Sequence, residues 1–118
     1  MIHRTSSDVA GTPREATGDG WVSRRFLVAE DGLPFSFHET TVRAGTRLEL
    51  DYRNHSESVY CVRGKAHVLD VASGRNLPIG PGSFYTVLPG DAHVLSIEED
   101  TTFVCVFDPP LEGREEAD

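Results

Sequence analysis

The stretch Asn54-His55-Ser56-Glu57-Ser58-Val59-Tyr60-Cys61-Val62-Arg63-Gly64, with Pro89-Gly90-Asp91-Ala92-His93 downstream of it, decides how this chain reads. The first is an apolar, β-branched run that carries one carboxylate and stops at a glycine. The second is a Pro-Gly turn that delivers a histidine to the head of another apolar run. The same pattern extends in both directions. Short runs with strand-forming composition are broken by Asp31-Gly32, Ala44-Gly45, Gly64-Lys65, Ser73-Gly74, Gly80-Pro81-Gly82, Pro89-Gly90-Asp91 and Pro109-Pro110. Glycine supplies positive φ at such turns, and proline fixes φ while removing a donor. The spacing predicts strands over 21–29, 35–43, 46–52, 57–63, 66–71, 83–88, 93–98 and 102–108. Alternation is clear: Leu48, Leu50 and Tyr52 share one face, as do Phe103, Cys105 and Phe107. No segment sustains a 3.6-residue apolar period. An all-β domain with seven or eight short strands is a sandwich or small barrel, and a barrel of about eight strands can enclose one small ligand.

The 118 residues are enough for a single domain, 1–118. Residues 1–19 read as an irregular N-terminal arm with one short helical turn, and 111–118 as an acidic tail that frays. The net charge of −8, from 19 acidic against 11 basic residues, argues against nucleic acid and anionic membrane surfaces as partners. No apolar run approaches the roughly 20 residues of a membrane helix, and Met1-Ile2-His3-Arg4-Thr5 lacks the apolar centre of a signal peptide. The expected location is therefore cytoplasmic. Cys61 and Cys105, each inside an apolar run, are expected to be buried free thiols.

The Glu57 and His93 stretches resemble halves of the two cupin motifs, which implies a jelly-roll-like cupin barrel. The usual paired histidines of the first motif are missing. Strict spacing puts Asp51 and Arg53 in their places, and a slip of one residue puts Tyr52 and Asn54 there. Arg53 holds its proton too tightly to bind a metal. Tyr85, on the strand leading into the Pro89-Gly90 turn, stands where it can take over a ligand position. A carboxylate, a phenolate and an imidazole with open positions suit a divalent iron-type ion better than a closed structural zinc. Read singly, each has an ordinary alternative: Tyr85 as a core aromatic, Glu57 as a solvated carboxylate, His93 as a structural histidine.

Further segments carry a more specific resemblance: Phe35-Ser36-Phe37-His38-Glu39-Thr40-Thr41, Asn54-His55-Ser56-Glu57-Ser58-Val59-Tyr60-Cys61, Gly80-Pro81-Gly82-Ser83-Phe84-Tyr85 and Val104-Cys105-Val106-Phe107-Asp108-Pro109-Pro110-Leu111. In these the chain resembles the ectoine synthase family. That resemblance implies a cytoplasmic homodimer dependent on Fe2+, closing N-γ-acetyl-2,4-diaminobutyrate into the cyclic amidine ectoine with loss of water. It implies Glu57, Tyr85 and His93 as metal ligands. Trp21, Arg25, Thr40, Cys105 and Phe107 would bind substrate, Tyr52 and Glu115 would move protons, and His55 would support the site from behind. The family continues past the Glu115 region with a histidine and an Asp-Glu-Asn-Gly segment, where this sequence has Ala117 and Asp118, so an uncapped barrel mouth is expected. Two other activities stay open at this level: cyclisation or hydrolysis of a related N-acyl diamino acid or cyclic amidine, and non-catalytic binding of ectoine.

Overall fold

Two long antiparallel strands organise the molecule, β5 (Ser56–Asp70) and β8 (His93–Asp108), paired from Ser56 opposite Asp108 to Asp70 opposite His93. Residues 1–112 are described, in a computed structural model. Along their outer lengths, β1 (Glu15–Gly18), β2 (Trp21–Leu27), β3 (Ser36–Val42), β8, β5 and β7 (Phe84–Val87) form one sheet. The opposite halves of the long strands join β4 (Arg47–Leu50) and β6 (Asn76–Ile79) in a second. The result is a jelly-roll-like barrel in which β5 and β8 pass from one sheet to the other.

This continuity corrects the expected strand breaks. Neither Gly64-Lys65 nor residues 99–101 ends a strand. The register shifts in steps between Cys61 and Ala66, the signature of β-bulges, and the ladder turns a corner there. Gly64 lies at φ 109°, and a β-carbon at this position would collide with the backbone of Thr101. Thr101 is fully buried and its hydroxyl accepts from the Lys65 amide at 3.1 Å, so the corner is closed by hydrogen bonds. A glycine marks a bend as readily as an end, and the sequence pattern does not distinguish them.

The N-terminal arm is also more ordered than expected. Thr5 caps a short helix, α1 (Ser6–Val9), Val9 is fully buried, and Glu15–Gly18 pairs with β2. Asp31 pins the arm by accepting from Arg4 (3.0 Å), Arg14 (2.9 Å) and the Val28 amide (2.9 Å). β6 is absent from the strands the spacing predicts because it is short and contains Pro78, which an edge strand tolerates where no ladder donor is required. Residue 111 is not part of a frayed tail. Leu111 is buried, its amide bonds to the Ser36 hydroxyl at 3.0 Å, and its carbonyl accepts from Ala29 at 2.7 Å. Residues 113–118, with the expected role of Glu115 and the question of a capping segment, lie outside the described residues.

Candidate active site

Cross-strand register explains how distant residues share one wall. Arg25 on β2 faces His38 on β3, His38 faces Cys105 on β8, Cys105 faces Val59 on β5, and Val59 faces Tyr85 on β7. An adjacent row runs from Ser36 through Phe107 and Glu57 to Val87. Another joins Ser23, Thr40, Phe103 and Cys61. Because side chains alternate, these rows face the interior together. They bound a cavity of about 550 Å³, within the range of small-molecule sites.

The alternation also separates the two adjacent arginines. Arg24 points outward between Glu15 (3.5 Å) and Glu39 (3.6 Å), while Arg25 is only 3% exposed and lines the cavity. Trp21 reaches the same cavity from the end of β2, and its indole fills the space that a side chain at Gly18 would need. Thr40 donates to the Ser23 hydroxyl at 3.2 Å. Phe107 and Cys105 are buried in the wall. Thus Trp21, Arg25, Thr40, Cys105 and Phe107 meet in one cavity, as do Tyr52, Glu57 and Tyr85.

Glu57 is the centre of the polar cluster. Its carboxylate accepts hydrogen bonds from the Tyr52 hydroxyl and the Cys105 thiol, yet burial outweighs both and pushes its pKa up to about 7. Burial, followed by the nearby Glu57 charge, raises Tyr52, Tyr85 and Cys105 well above their ordinary values. Tyr52 also packs edge-on against His93, with ring centres 5.5 Å apart, and against Phe107 at 5.4 Å. The Tyr85 ring centre is 6.4 Å from that of His93. His93 enters from the second sheet, at the head of β8, where the Pro89-Gly90-Asp91 turn delivers it.

The state of His93 tests whether a metal fits. Its Nδ1 lies 2.8 Å from the Asp91 carbonyl and so carries the proton. Its Nε2 is buried with no hydrogen-bond partner, an arrangement that costs free energy unless something accepts the lone pair. Burial likewise raises the Glu57 carboxyl and the Tyr85 phenol, disfavouring the charged forms that a bound cation would stabilise. The three residues therefore fit a divalent cation. Among the described residues no three His, Cys, Asp or Glu side chains converge on one point.

His55 stands outside the cavity lining. Its Nδ1 is 2.8 Å from the Pro109 carbonyl, and its ring meets Phe107 edge-on at 6.0 Å. It steadies Phe107 and the segment after β8. The structure adds Ser23, His38 and Leu111 to the wall, with Asp19, Glu49 and Asp51 as acidic lining groups. Alternation from Arg25 and Thr40 was a signal for Ser23 and His38; Leu111 had none. Arg53 is exposed, 3.6 Å from Asp51.

A cupin barrel with a ligand-sized cavity and one buried mixed-donor cluster defines the class. The family model described as ectoine synthase matches residues 1–118. L-ectoine synthase of Wolinella succinogenes is 45% identical over 117 residues, spanning 98% of this chain and 89% of that protein. The Desulfosudis oleivorans L-ectoine synthase is 46% identical over 119 residues, covering 100% of this chain and 92% of its own. The crystal structure of ectoine synthase from P. lautus superposes with a TM-score of 0.90 at 36% identity, over 96% of this chain and 81% of that one. The chain belongs to the ectoine synthase family. The polyketide cyclase RemF of Streptomyces resistomycificus shares the fold alone, at a TM-score of 0.73 and 18% identity over 100% of this chain and 88% of that one.

Proposed function

We propose that this protein is an L-ectoine synthase, closing N-γ-acetyl-2,4-diaminobutyrate into ectoine with loss of water, with Fe(II) held by Glu57, Tyr85 and His93. Family membership supports the activity, and the unpartnered, buried Nε2 of His93 beside Tyr85 and Tyr52 is the observation that supports the metal site. Bound there, a divalent ion supplies Lewis acidity toward an amide carbonyl.

The chain's own residues do the rest. Arg25 binds the substrate carboxylate by charge-assisted hydrogen bonds. Neighbouring strands lie about 4.8 Å apart, so Arg25 on β2 and Glu57 on β5 are separated by about 14 Å of sheet. Their side chains reach inward from the two ends of that span, leaving room for a short diamino acid between them. Holding the chain folded brings the α-amine against the acyl carbon, an entropic advantage of up to ~7–11 kcal/mol in ideal cases. Tyr52 donates to Glu57 and keeps its carboxylate oriented. Phe107 and Trp21 keep water from a step that releases water. The α-ammonium gives up two protons, the departing oxygen gains two, and the positive charge stays on the product amidinium.

We extend the proposal to a homodimer in the cytoplasm. An outward apolar face supports the dimer: Tyr60 on β5 lies directly opposite Phe84 on β7, with Val62 and Leu88 nearby in sequence, all about half exposed or more. Two buried free thiols support the reducing compartment. No helix among the described residues is long and apolar enough to cross a membrane. Purified protein incubated with Fe(II) and the acetylated diamine should form ectoine, detected by mass spectrometry. No product at high enzyme concentration would refute the activity, and tight ectoine binding without turnover would favour a binding protein instead.

A further inference from the structure

Among the described residues His38 is the one imidazole in the cavity lining, and nothing in the scheme above uses it. It is 1% exposed, and its ring lies tilted over Phe107 with centres 5.2 Å apart, which limits its rotation. Register puts it directly between Arg25 and Cys105, one strand spacing, about 4.8 Å of sheet, from each. The α-amine of a 2,4-diamino acid is bonded to the carbon that bears the carboxylate. A carboxylate held at Arg25 therefore sets the α-amine beside the next residue across the sheet on the way to Glu57, and that residue is His38.

Among the described residues, the other cavity groups that can exchange a proton are poorly suited to accept one from this amine. The Tyr52 hydroxyl and Cys105 thiol already donate to Glu57. Glu57 and Tyr85 are assigned to the cation. Asp19, Glu49 and Asp51 join the lining from the loop before β2 and from β4 and the loop after it, not from the Arg25 row. An imidazole can present an accepting nitrogen at neutral pH.

We propose that His38 is the catalytic base that removes a proton from the attacking α-ammonium. The inference rests on the activity proposed above. His38 accepts one proton. The nitrogen lone pair so released forms the C–N bond as the π pair of the amide C=O moves to oxygen. The proton held by His38 returns to that oxygen, which leaves as water after receiving the second ammonium proton. The charged and titratable groups that line the cavity with His38 are Arg25 on β2, Cys105 on β8, Glu57 on β5, Tyr85 on β7, Glu49 on β4, Asp51 and Tyr52 between β4 and β5, and Asp19 before β2.

The test compares the full chain loaded with Fe(II) with its His38→Asn and His38→Gln variants. Turnover of the acetylated diamine is followed across about pH 5 to 8, the range in which an imidazole changes charge. The expected result is a loss of roughly 10²–10³-fold in kcat. Bound iron should be unchanged, the acid limb of the kcat profile should disappear, and added imidazole should restore part of the rate. A His38→Asn protein with wild-type kcat and the same acid limb overturns the proposal. A second measurement does not depend on the variants folding: the imidazole NMR signals of His38 in metal-free wild-type protein should shift when the diamine is added. No shift at saturating diamine also overturns it. Wild-type protein without turnover refutes the parent activity and this inference together, whereas active wild type with an equally active variant refutes this inference alone.

Discussion

Removing the cation should leave Glu57 as a buried carboxyl whose ionisation opposes folding. Its folded pKa is about 7, against 4.5 as an ordinary side chain. A carboxyl whose pKa is raised on folding contributes its stability below the unfolded value and loses it as pH rises through the folded value. The difference of about 2.5 units converts to about 3 kcal/mol, lost between about pH 4.5 and somewhat above pH 7. That is a large share of a typical domain stability of about 5–15 kcal/mol. The assay is urea unfolding of chelator-treated protein, followed by circular dichroism at about pH 5 and about pH 8, with Glu57→Gln in parallel. Wild type should be less stable at the higher pH, and Glu57→Gln should flatten most of that difference. Saturating Fe(II) should reverse the trend, because protons then compete with the ion for the carboxylate. Equal slopes for metal-free wild type and Glu57→Gln would refute the view that Glu57 is an uncompensated charge awaiting a cation.

Other expectations follow from particular contacts. Asp31, held at about 2 by Arg14, the Val28 amide and Arg4, should supply about 2 kcal/mol that is present above about pH 4 and lost as pH falls toward 2. Asp31→Asn should remove that acid limb in unfolding curves and speed proteolysis of the first residues. Gly64→Ala should cost about 3 kcal/mol, since it combines a left-handed φ with a collision at Thr101; a melting temperature equal to wild type would contradict the corner geometry. Arg25→Ala should lower kcat/KM roughly 10–100-fold, mostly through KM, by removing a charged hydrogen-bond partner of the substrate carboxylate. Iron content should not change, and an unchanged KM would show that Arg25 does not bind the substrate.

The strand faces were legible because alternation survives in sequence: Phe103, Cys105 and Phe107 do point together. Most strands stand where the turn signals put them. What the pattern hid was continuity. Gly64 bends β5 without ending it, a distinction made by the partner strand and by Thr101, far away in the chain. β1 was hidden because Glu15-Ala16-Thr17-Gly18 has no apolar rhythm and exists by pairing with β2. The Glu57, Tyr85 and His93 set depends on two turns whose closure only the fold displays. His38 has no sequence signal of its own, because its value comes from lying between Arg25 and Cys105 on neighbouring strands.

The most direct test joins metal and product in one experiment. Wild-type protein and the Glu57→Ala, Tyr85→Ala and His93→Ala variants are each reconstituted with Fe(II), analysed for bound iron, and incubated with N-γ-acetyl-2,4-diaminobutyrate while ectoine is followed by mass spectrometry. Wild type should hold iron and form ectoine. Each variant should stay folded, lose most of its iron and lose product in parallel. Full iron content in all three variants, or ectoine formation that survives their loss of iron, would contradict the site.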